Sequence, residues 1–202
     1  MLSLDHLVVA GQDLSEARSH VETALGVPLR KGGVHRHFAT HNALLGLAEG
    51  LYLEAIAPDP AAPAPGRPRW FALDRLIGGA RLSNWVCRVN DLSTALQSLP
   101  DGAGTPVALS RGNLRWSMAV PADGCLPCHG CFPAVIQWHG TVWPGRSLPD
   151  SGCRLLRLEV SHPKAAWLRQ SLPLRDARIQ FATGAAALRA IFATPSGLRA
   201  LQ

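Results

Sequence analysis

A segment near the start of the chain recurs further along, and this recurrence constrains the fold more than any other feature. The stretch "LDHLVVAGQDLSEA" (residues 4–17) aligns without a gap with "LSNWVCRVNDLSTA" (residues 82–95), and six of the fourteen positions are identical. In each copy, an apolar run rich in Val and Leu precedes an Asp that can cap a helix. The sequence therefore predicts two modules that both begin with a strand and a capped helix.

The first module continues with three further predicted strands. Asp13 is the expected N-cap, and the helix that follows should end at Gly26, a residue that readily adopts the left-handed conformation at a helix end. The predicted strands cover residues 28–31, 37–47 and 51–58, with Gly32-Gly33 and Glu49-Gly50 as the turns between them. The predicted order is β-α-β-β-β.

The second module repeats this order. Asp91 is the expected cap of its helix, and the predicted strands cover residues 83–89, 105–112, 114–121 and 133–140. A Pro- and Ala-rich linker with a short helix joins the modules, and the tail suggests a partial third unit with the order β-α-β-β. We predict an α+β fold in which paired βαβββ modules form a curved mixed sheet around a cleft. The expected boundaries are 1–60, 61–81, 82–145 and 150–202.

Composition narrows the class of protein. The chain has 202 residues, of which 47% are hydrophobic and 17% charged, so it can bury a substantial core. Its formal net charge is +6, but the arginines are scattered and Lys31 and Lys164 are the only lysines, which argues against a nucleic-acid-binding stripe. No apolar run approaches the roughly 20 residues of a membrane span, and no leader peptide is recognisable. We expect a cytoplasmic monomer or homodimer that binds a small molecule, with neither nucleic acid nor membrane as a partner.

Several segments resemble a known family. The duplicated βαβββ unit, the opening "LDHLVVA" and the strand "YLEAI" resemble the vicinal oxygen chelate superfamily, which includes glyoxalases, bleomycin resistance proteins and dioxygenases. Within it, "ATHNALLGLAEGLYLEAIAPDP" and "GRPRWFALD" are similar to the glyoxalase-like domain proteins. The resemblance covers roughly residues 3–160 and implies a ligand cleft between the modules. It leaves the reaction open, because members of one fold differ widely in chemistry.

The resemblance also implies a set of metal ligands on the first and last strands of each module. His6 and Glu54 hold these positions in the first module, while spacing places Asn84 opposite His6 and Gln137 opposite Glu54. Such a set could hold a divalent ion (Mn, Mg, Ni, Zn or Fe), although two neutral amides weaken it. In the alternative interpretation, His6 and Glu54 form a buried hydrogen-bonded pair or bind an organic ligand directly.

Other side chains are candidates for the cleft. His41 and Asn42 are adjacent in a strand, so at most one of them can line it. We predict Glu54 and His41 as the groups that would move a proton. The remaining substrate-binding candidates are Asn42, Trp70, Trp116, Trp138 and Arg115. His35 and His37 lie near a predicted turn, where solvation would be ordinary.

The segment "CLPCHGC" contains Cys125, Cys128 and Cys131 at a spacing that is compatible with zinc or part of an iron–sulfur cluster. The competing interpretation is a loop of reduced thiols, which we favour because a fourth ligand is not evident.

Two functions remain open at this point. One is a metal-dependent lyase, isomerase or dioxygenase that acts on a small oxygenated molecule. The other is a metal-free protein that binds a small molecule without catalysis.

Overall fold

Two β-sheets and four short helices form the fold. A computed structural model describes residues 1–202. The strands are β1 (Ser3–Ala10), β2 (Arg30–His35), β3 (Thr40–Gly46), β4 (Tyr52–Pro58), β5 (Arg81–Arg88), β6 (Thr105–Arg111), β7 (Leu114–Val120), β8 (Ala134–Trp138), β9 (Arg154–Ser161), β10 (Ile179–Ala182), β11 (Ala187–Thr194) and β12 (Gly197–Leu201). The helices are α1 (Leu14–Leu25), α2 (Leu92–Ser98), α3 (Pro144–Ser147) and α4 (Ala165–Ser171). None of them is long and apolar enough to cross a membrane.

The larger sheet joins the two modules through their first strands. It has eight strands in the order β2-β3-β4-β1-β5-β8-β7-β6, and β1 pairs antiparallel with β5 at its centre. On either side, β1 pairs in parallel with β4, and β5 pairs in parallel with β8. The predicted α+β class and the curved mixed sheet are confirmed.

The N-caps of α1 and α2 explain why the same Asp recurs in the two copies of the segment. Asp13 accepts a hydrogen bond of 2.8 Å from the Glu16 amide, and α1 ends at Gly26 with φ 70°. Asp91 accepts one of 2.9 Å from the Thr94 amide at the start of α2. Each cap satisfies an amide that the helix itself leaves unpaired, so the same residue marks the same strand-to-helix corner twice.

Alternation along β1 divides the interior into two apolar clusters. Leu7 and Val9 belong to the cluster that α1 and the smaller sheet cover, whereas Val8 and Ala10 belong to a second cluster on the concave face. Because successive side chains of a strand point to opposite faces, β1 contributes to both. The concave face is the one that holds the polar groups described below.

The C-terminal unit has one more strand than we predicted. Its sheet has the order β10-β9-β11-β12, and the additional strand is β12. β9 pairs in parallel with β10 and antiparallel with β11, so its pairing differs from that of the first module, in which the first strand pairs with the last. Leu158, Val160 and Phe192 from this sheet are fully buried in the cluster that covers the convex face of the large sheet.

Gly32-Gly33 is not a turn, contrary to the prediction from sequence. Both glycines lie inside β2, where the pairing with β3 shifts between Lys31 and Val34, and the reversal of the chain comes later, at residues 36–39. Added Cβ atoms would collide with Asn42 at Gly32 and would lie 2.6 Å from Arg111 Cδ at Gly33. The glycines therefore make room for two polar side chains rather than for a reversal of the chain.

The linker segment also differs from the expected short helix. Residues 70–75 form 3₁₀ turns in which Phe71 (φ 57°) and Ala72 (φ 53°) have left-handed backbone conformations. Non-glycine residues pay a conformational cost there, so the surrounding structure must hold them in place. One such contact is the 2.8 Å hydrogen bond from the Ala72 amide to the Gly124 carbonyl. This segment packs Trp70 and Phe71 against the concave face.

Candidate functional site

A small cavity with polar walls lies on the concave face of the large sheet. Its volume is about 30 Å³, close to the share of one water molecule in the liquid. Both modules contribute to its lining, which consists of His6, His35, Asn42, Leu44, Tyr52, Glu54, Trp70, Phe71, Arg111, Trp116, Met118, Ile136, Trp138 and Pro144.

A register shift at the start of β1 brings two consecutive polar residues together. The pairing with β5 skips Asp5, since Leu4 pairs with Cys87 and His6 with Val86. In a regular strand, neighbouring side chains point to opposite faces, but such a bulge allows them to meet. Asp5 Oδ1 is 2.7 Å from His6 Nδ1, and Asp5 is completely buried.

Glu54 on β4 lies on the other side of the His6 ring. Its Oε2 is 3.5 Å from His6 Nε2, and its Oε1 accepts a short hydrogen bond from the side-chain amide of Asn42. All three residues are buried. A buried carboxylate is costly without partners, and these two contacts provide them. The His6 imidazole therefore lies between two carboxylates, and its ring also stacks on Tyr52 at 4.3 Å between centroids.

These contacts set the charges of the pair. Burial opposes ionisation of both groups. For His6, the hydrogen bonds to Asp5 and Glu54 outweigh burial and raise the pKa above its ordinary value. For Glu54, the contact with His6 and the hydrogen bond from Asn42 outweigh burial and lower the pKa to about 2. At neutral pH, Glu54 is a carboxylate, and a protonated His6 can donate from both ring nitrogens.

A cation from the second module completes the cluster. Arg111, at the end of β6, passes over the backbone of β2 at Gly33. Its NH1 group is 3.2 Å from Asn42 Oδ1 and 3.0 Å from His35 Nε2. Asn42 Oδ1 also accepts a 2.7 Å hydrogen bond from the Gly33 amide. Asn42 thus links the Glu54 carboxylate to the Arg111 guanidinium.

His35 is neutral in this setting. Burial is the main reason that its pKa falls to about 4, and the positive charge of Arg111 acts in the same direction. A neutral ring can accept the hydrogen bond from Arg111 at Nε2 while Nδ1 faces Thr40 Oγ1 at 3.2 Å. The sequence suggested a solvated His35 near a turn, but this residue is buried in the cavity wall.

Three tryptophans from the sequence-based list line the cavity. Trp116 and Trp138 lie 5.5 Å apart between ring centroids, and Trp138 Nε1 donates to Asp5 Oδ2 at 3.2 Å. Trp70 stacks on Phe38 at 4.5 Å, but its indole nitrogen is buried without a hydrogen-bond partner. A buried donor without an acceptor is rare, and an acceptor from a water or a ligand would satisfy it.

The remaining sequence-based candidates lie elsewhere. Gln137 faces the convex side, where its Oε1 accepts a 2.9 Å hydrogen bond from the Leu92 amide at the start of α2. His41 shares the convex side with Ala43 and lies 4.0 Å from Asp59, so Asn42 is the member of the pair that lines the cavity. Arg115 is exposed and donates to the backbone carbonyls of Gly112 and Leu114.

Asn84 is buried on the concave face but does not join His6 and Glu54. Across the sheet, Glu54 pairs with Val8 and Val8 pairs with Asn84, so Val8 stands between them. Two strand spacings separate the backbones by about 9–10 Å. The Asn84 amide faces Gly130, where an added Cβ would lie 3.0 Å from its nitrogen, and it lines a different cavity.

The residues present do not fit a divalent metal. Both nitrogens of His6 and both carboxylate oxygens of Glu54 are engaged with each other or with Asp5 and Asn42. Ile136 and Trp138 are the cavity-lining side chains of β8, and neither is an oxygen ligand. No group of three or more His, Cys, Asp or Glu side chains in the chain could hold a metal ion. The Arg111 guanidinium adds a positive charge that would repel a cation.

Sequence reasoning missed Asp5, His35, Tyr52 and Arg111 as members of the cluster. Asp5 precedes His6, and a regular strand would direct it to the other face, so only knowledge of the bulge could include it. Arg111 and Asn42 are 69 residues apart in the sequence. The available signal was Gly32-Gly33, because two glycines in a strand often mark a close approach of another group.

Comparison with known proteins agrees with this architecture. A sheet built from two βαβββ sets around a concave face defines the vicinal oxygen chelate fold. The chain belongs to the family described as "Glyoxalase-like domain", whose model matches residues 4–174. Comparison with curated protein sequences gives no match.

Two solved structures are similar to this chain to different degrees. A hypothetical protein from Staphylococcus aureus is 13% identical with a TM-score of 0.61, and the match covers 92% of this chain and 86% of that one. Methylmalonyl-CoA epimerase from Mycobacterium tuberculosis is 23% identical with a TM-score of 0.43, covering 69% of this chain and 88% of that one. The likeness to the Staphylococcus aureus protein, at 13% identity, shows the fold, and the function must be argued from the site.

Proposed function

We propose that this protein binds a small oxygenated anion on its concave face without a divalent metal. The Arg111 guanidinium in the wall of the cavity carries the proposal, because it can donate to an acceptor atom, and Trp70, whose indole N–H has no partner, lines the same cavity. A carboxylate or carbonyl oxygen is such an atom. The proposal keeps the small-molecule partner and the cytoplasmic location that the sequence suggested.

The charges of the cluster favour an anion. Asp5 and Glu54 flank His6 and raise its pKa, Arg111 brings a positive charge to the cavity wall, and Arg88 NH1 adds another 3.6 Å from Asp5 Oδ2. Both hydrogen bonds of Arg111 use its NH1 group, which leaves NH2 available to a ligand. A guanidinium and an N–H donor together suit the oxygens of a carboxylate.

The dimensions indicate how such a ligand would be placed. The cavity of about 30 Å³ holds a group the size of one oxygen, not a whole molecule. A groove of about 760 Å³ lies outside it, between β2 and β6, and shares His35, Arg111 and Trp116 with the cavity. In the proposed complex, the ligand directs one oxygen inward past Arg111 while its body lies in the groove.

The test measures thermal stability with pyruvate as the probe, in EDTA and at constant ionic strength. A ligand present at ten times its Kd stabilises the folded state by about 1.4 kcal/mol, which for a chain of this size raises Tm by about 3–5 °C. We expect a saturable rise with pyruvate and none with acetamide, which lacks the charge, or with chloride.

Two arginine variants complete the test. Arg111→Gln should abolish the pyruvate response, whereas Arg115→Gln, on the next strand but outside the cavity, should retain it. An equal response in both variants, or a response that requires added Mn²⁺, Mg²⁺, Ni²⁺ or Zn²⁺, would contradict the proposal.

A second candidate function is proton transfer at a carbon next to a carbonyl group. The long 3.5 Å contact between His6 Nε2 and Glu54 favours it, because Nε2 could exchange this contact for one with a developing oxyanion and donate its proton there. The low pKa of Glu54 argues the other way, since base strength falls with pKa. Exchange of pyruvate methyl protons in D₂O, followed by NMR with the wild-type chain and with Glu54→Gln, distinguishes catalysis from binding alone.

A further inference from the structure

We propose that a second cleft, between the large sheet and the C-terminal sheet, binds an amphipathic organic anion. This cleft is separate from the small cavity around His6 and has a volume of about 840 Å³. Pockets that bind small molecules commonly measure about 300–1,000 Å³. Its walls come from β5, from the loop that contains the three clustered cysteines, and from β9 and β11. The proposal does not depend on the function assigned to the first site.

Asn84 is the feature that points to a ligand. Only 3% of this residue is exposed, and it lines the cleft, yet its carboxamide makes no hydrogen bond within the chain. The Asn84 nitrogen faces Gly130, and any Cβ at that position would approach it to 3.0 Å. A carboxamide can donate and accept, and that of Asn84 is not sealed off from the cleft it lines. A polar group of a bound molecule can therefore form a hydrogen bond with it.

Arginines at the rim give the cleft its preference for negative charge. Arg189 is 3.2 Å from Glu159, and Arg75 is 3.3 Å from Asp123. Arg81, by contrast, donates only to the backbone carbonyls of Ile77 and Gly79, and forms no ion pair. Arg81 is therefore the cation at this rim that is free to receive a carboxylate or a sulfonate.

The rest of the lining is suited to an apolar body. Eleven of its 21 residues are hydrophobic, and Phe71, Leu126 and Leu188 are among the largest of them. Burial of an aromatic or aliphatic body against such a wall contributes roughly 25 cal/mol per Å² of apolar surface. Together, Asn84 inside, Arg81 at the rim and the apolar wall fit one ligand with a polar anionic end.

Two matched fluorescent probes test this inference. 8-Anilinonaphthalene-1-sulfonate carries the anion, and N-phenyl-1-naphthylamine has the same aromatic body without it. We expect the sulfonate to bind with 1:1 stoichiometry. Arg81→Gln should weaken binding of the sulfonate about fivefold or more, and Asn84→Leu should also weaken it. Neither variant should weaken binding of the neutral probe by as large a factor. Arg199→Gln is the control, because Arg199 likewise donates to a backbone carbonyl but lies on β12 away from the cleft.

The thiols of the loop provide a second readout that locates the ligand. Cys125 and Cys128 line this cleft and are only partly buried, whereas the cavity around His6 contains no cysteine. Bound sulfonate should slow their alkylation by iodoacetamide, as measured by peptide mass spectrometry. Equal affinity for both probes, equal effects of Arg81→Gln and Arg199→Gln, or unprotected thiols at saturation would each overturn the inference. Because this readout is confined to the second cleft, failure here leaves the test with pyruvate unaffected.

Discussion

Replacing Glu54 with Gln should reveal how strongly the cluster depends on a buried negative charge. Gln preserves the size of the side chain and can still accept the hydrogen bond from Asn42, but it cannot balance the charge of His6. The pKa of Glu54 is about 2 in the folded chain, compared with 4.5 ordinarily. Each pKa unit corresponds to 1.36 kcal/mol, so the carboxylate contributes about 3 kcal/mol to stability at pH 7.

The dependence on pH distinguishes this effect from a packing defect. A carboxyl whose pKa is lowered by folding stabilises the protein above the pKa of the unfolded chain, and this stabilisation is lost as pH falls through the folded value. With the two pKa values above, the contribution of Glu54 falls from about 3 kcal/mol at pH 7 to about 2 kcal/mol at pH 3.5. The gap between the wild type and Glu54→Gln should therefore narrow by about 1 kcal/mol over this range.

Urea denaturation at several pH values, monitored by tryptophan fluorescence, measures this gap. The matched control is Glu49→Gln, because Glu49 also pairs with cations, Arg154 and Arg178, but 53% of its side chain is exposed. Exposed ion pairs contribute about 0–1 kcal/mol. If Glu54→Gln destabilises the chain no more than Glu49→Gln, or if its deficit is the same at pH 7 and pH 3.5, the ionised buried pair described above is incorrect.

Three further predictions follow from the same contacts. Gly33→Ala should lower the stability of the fold by about 1–3 kcal/mol and remove the response to pyruvate, because the added Cβ would lie 2.6 Å from Arg111 Cδ. Gly79→Ala is the control for thermal melts and should have neither effect, because its added Cβ would have its nearest neighbour at 3.7 Å. Asp13→Ala should lower the unfolding free energy in urea by about 1 kcal/mol through loss of the α1 cap. His35→Gln should flatten the loss of stability between pH 6.5 and 4, because the folded His35, with its pKa of about 4, stays neutral there while the same residue in the unfolded chain takes up a proton; an unchanged slope would refute this.

The sequence predicted those parts of the fold that follow from local patterns. The recurring segment predicted the two strand-to-helix corners, and Asp13, Gly26 and Asp91 mark the helix ends because capping is a local interaction. The resemblance pointed to His6 and Glu54, and the polar pair within an apolar strand pointed to Asn42; the structure places these three side chains together. Their partners were not predicted, because a bulge and a crossing side chain depend on pairing between distant strands.

Gln137 shows how a single position changes the outcome. The correspondence between the last strands of the two modules predicts Gln137 opposite Glu54, but the pairing of β8 with β5 places Ala134 and Ile136 on the concave face and Gln137 on the convex one. A shift of one residue in a strand exchanges the two faces completely. The sequence therefore predicted the existence of this strand but not its register.

Pairing across the large sheet gives a physical reason for the difference between His6 and Asn84. The two residues hold the same position in their modules, and so do Val8 and Val86. In the first module, Val8 pairs with Glu54, whereas in the second Val86 pairs with Ala134. A histidine at position 84 would therefore lack the carboxylate that stabilises the charged form of His6, and burial would keep it neutral. The neutral amide at position 84 is thus matched to Ala134, which stands where the first module has Glu54. The charged cluster gathers around His6 and Glu54 with Arg111 added from the second module, while Asn84 lines the second cleft.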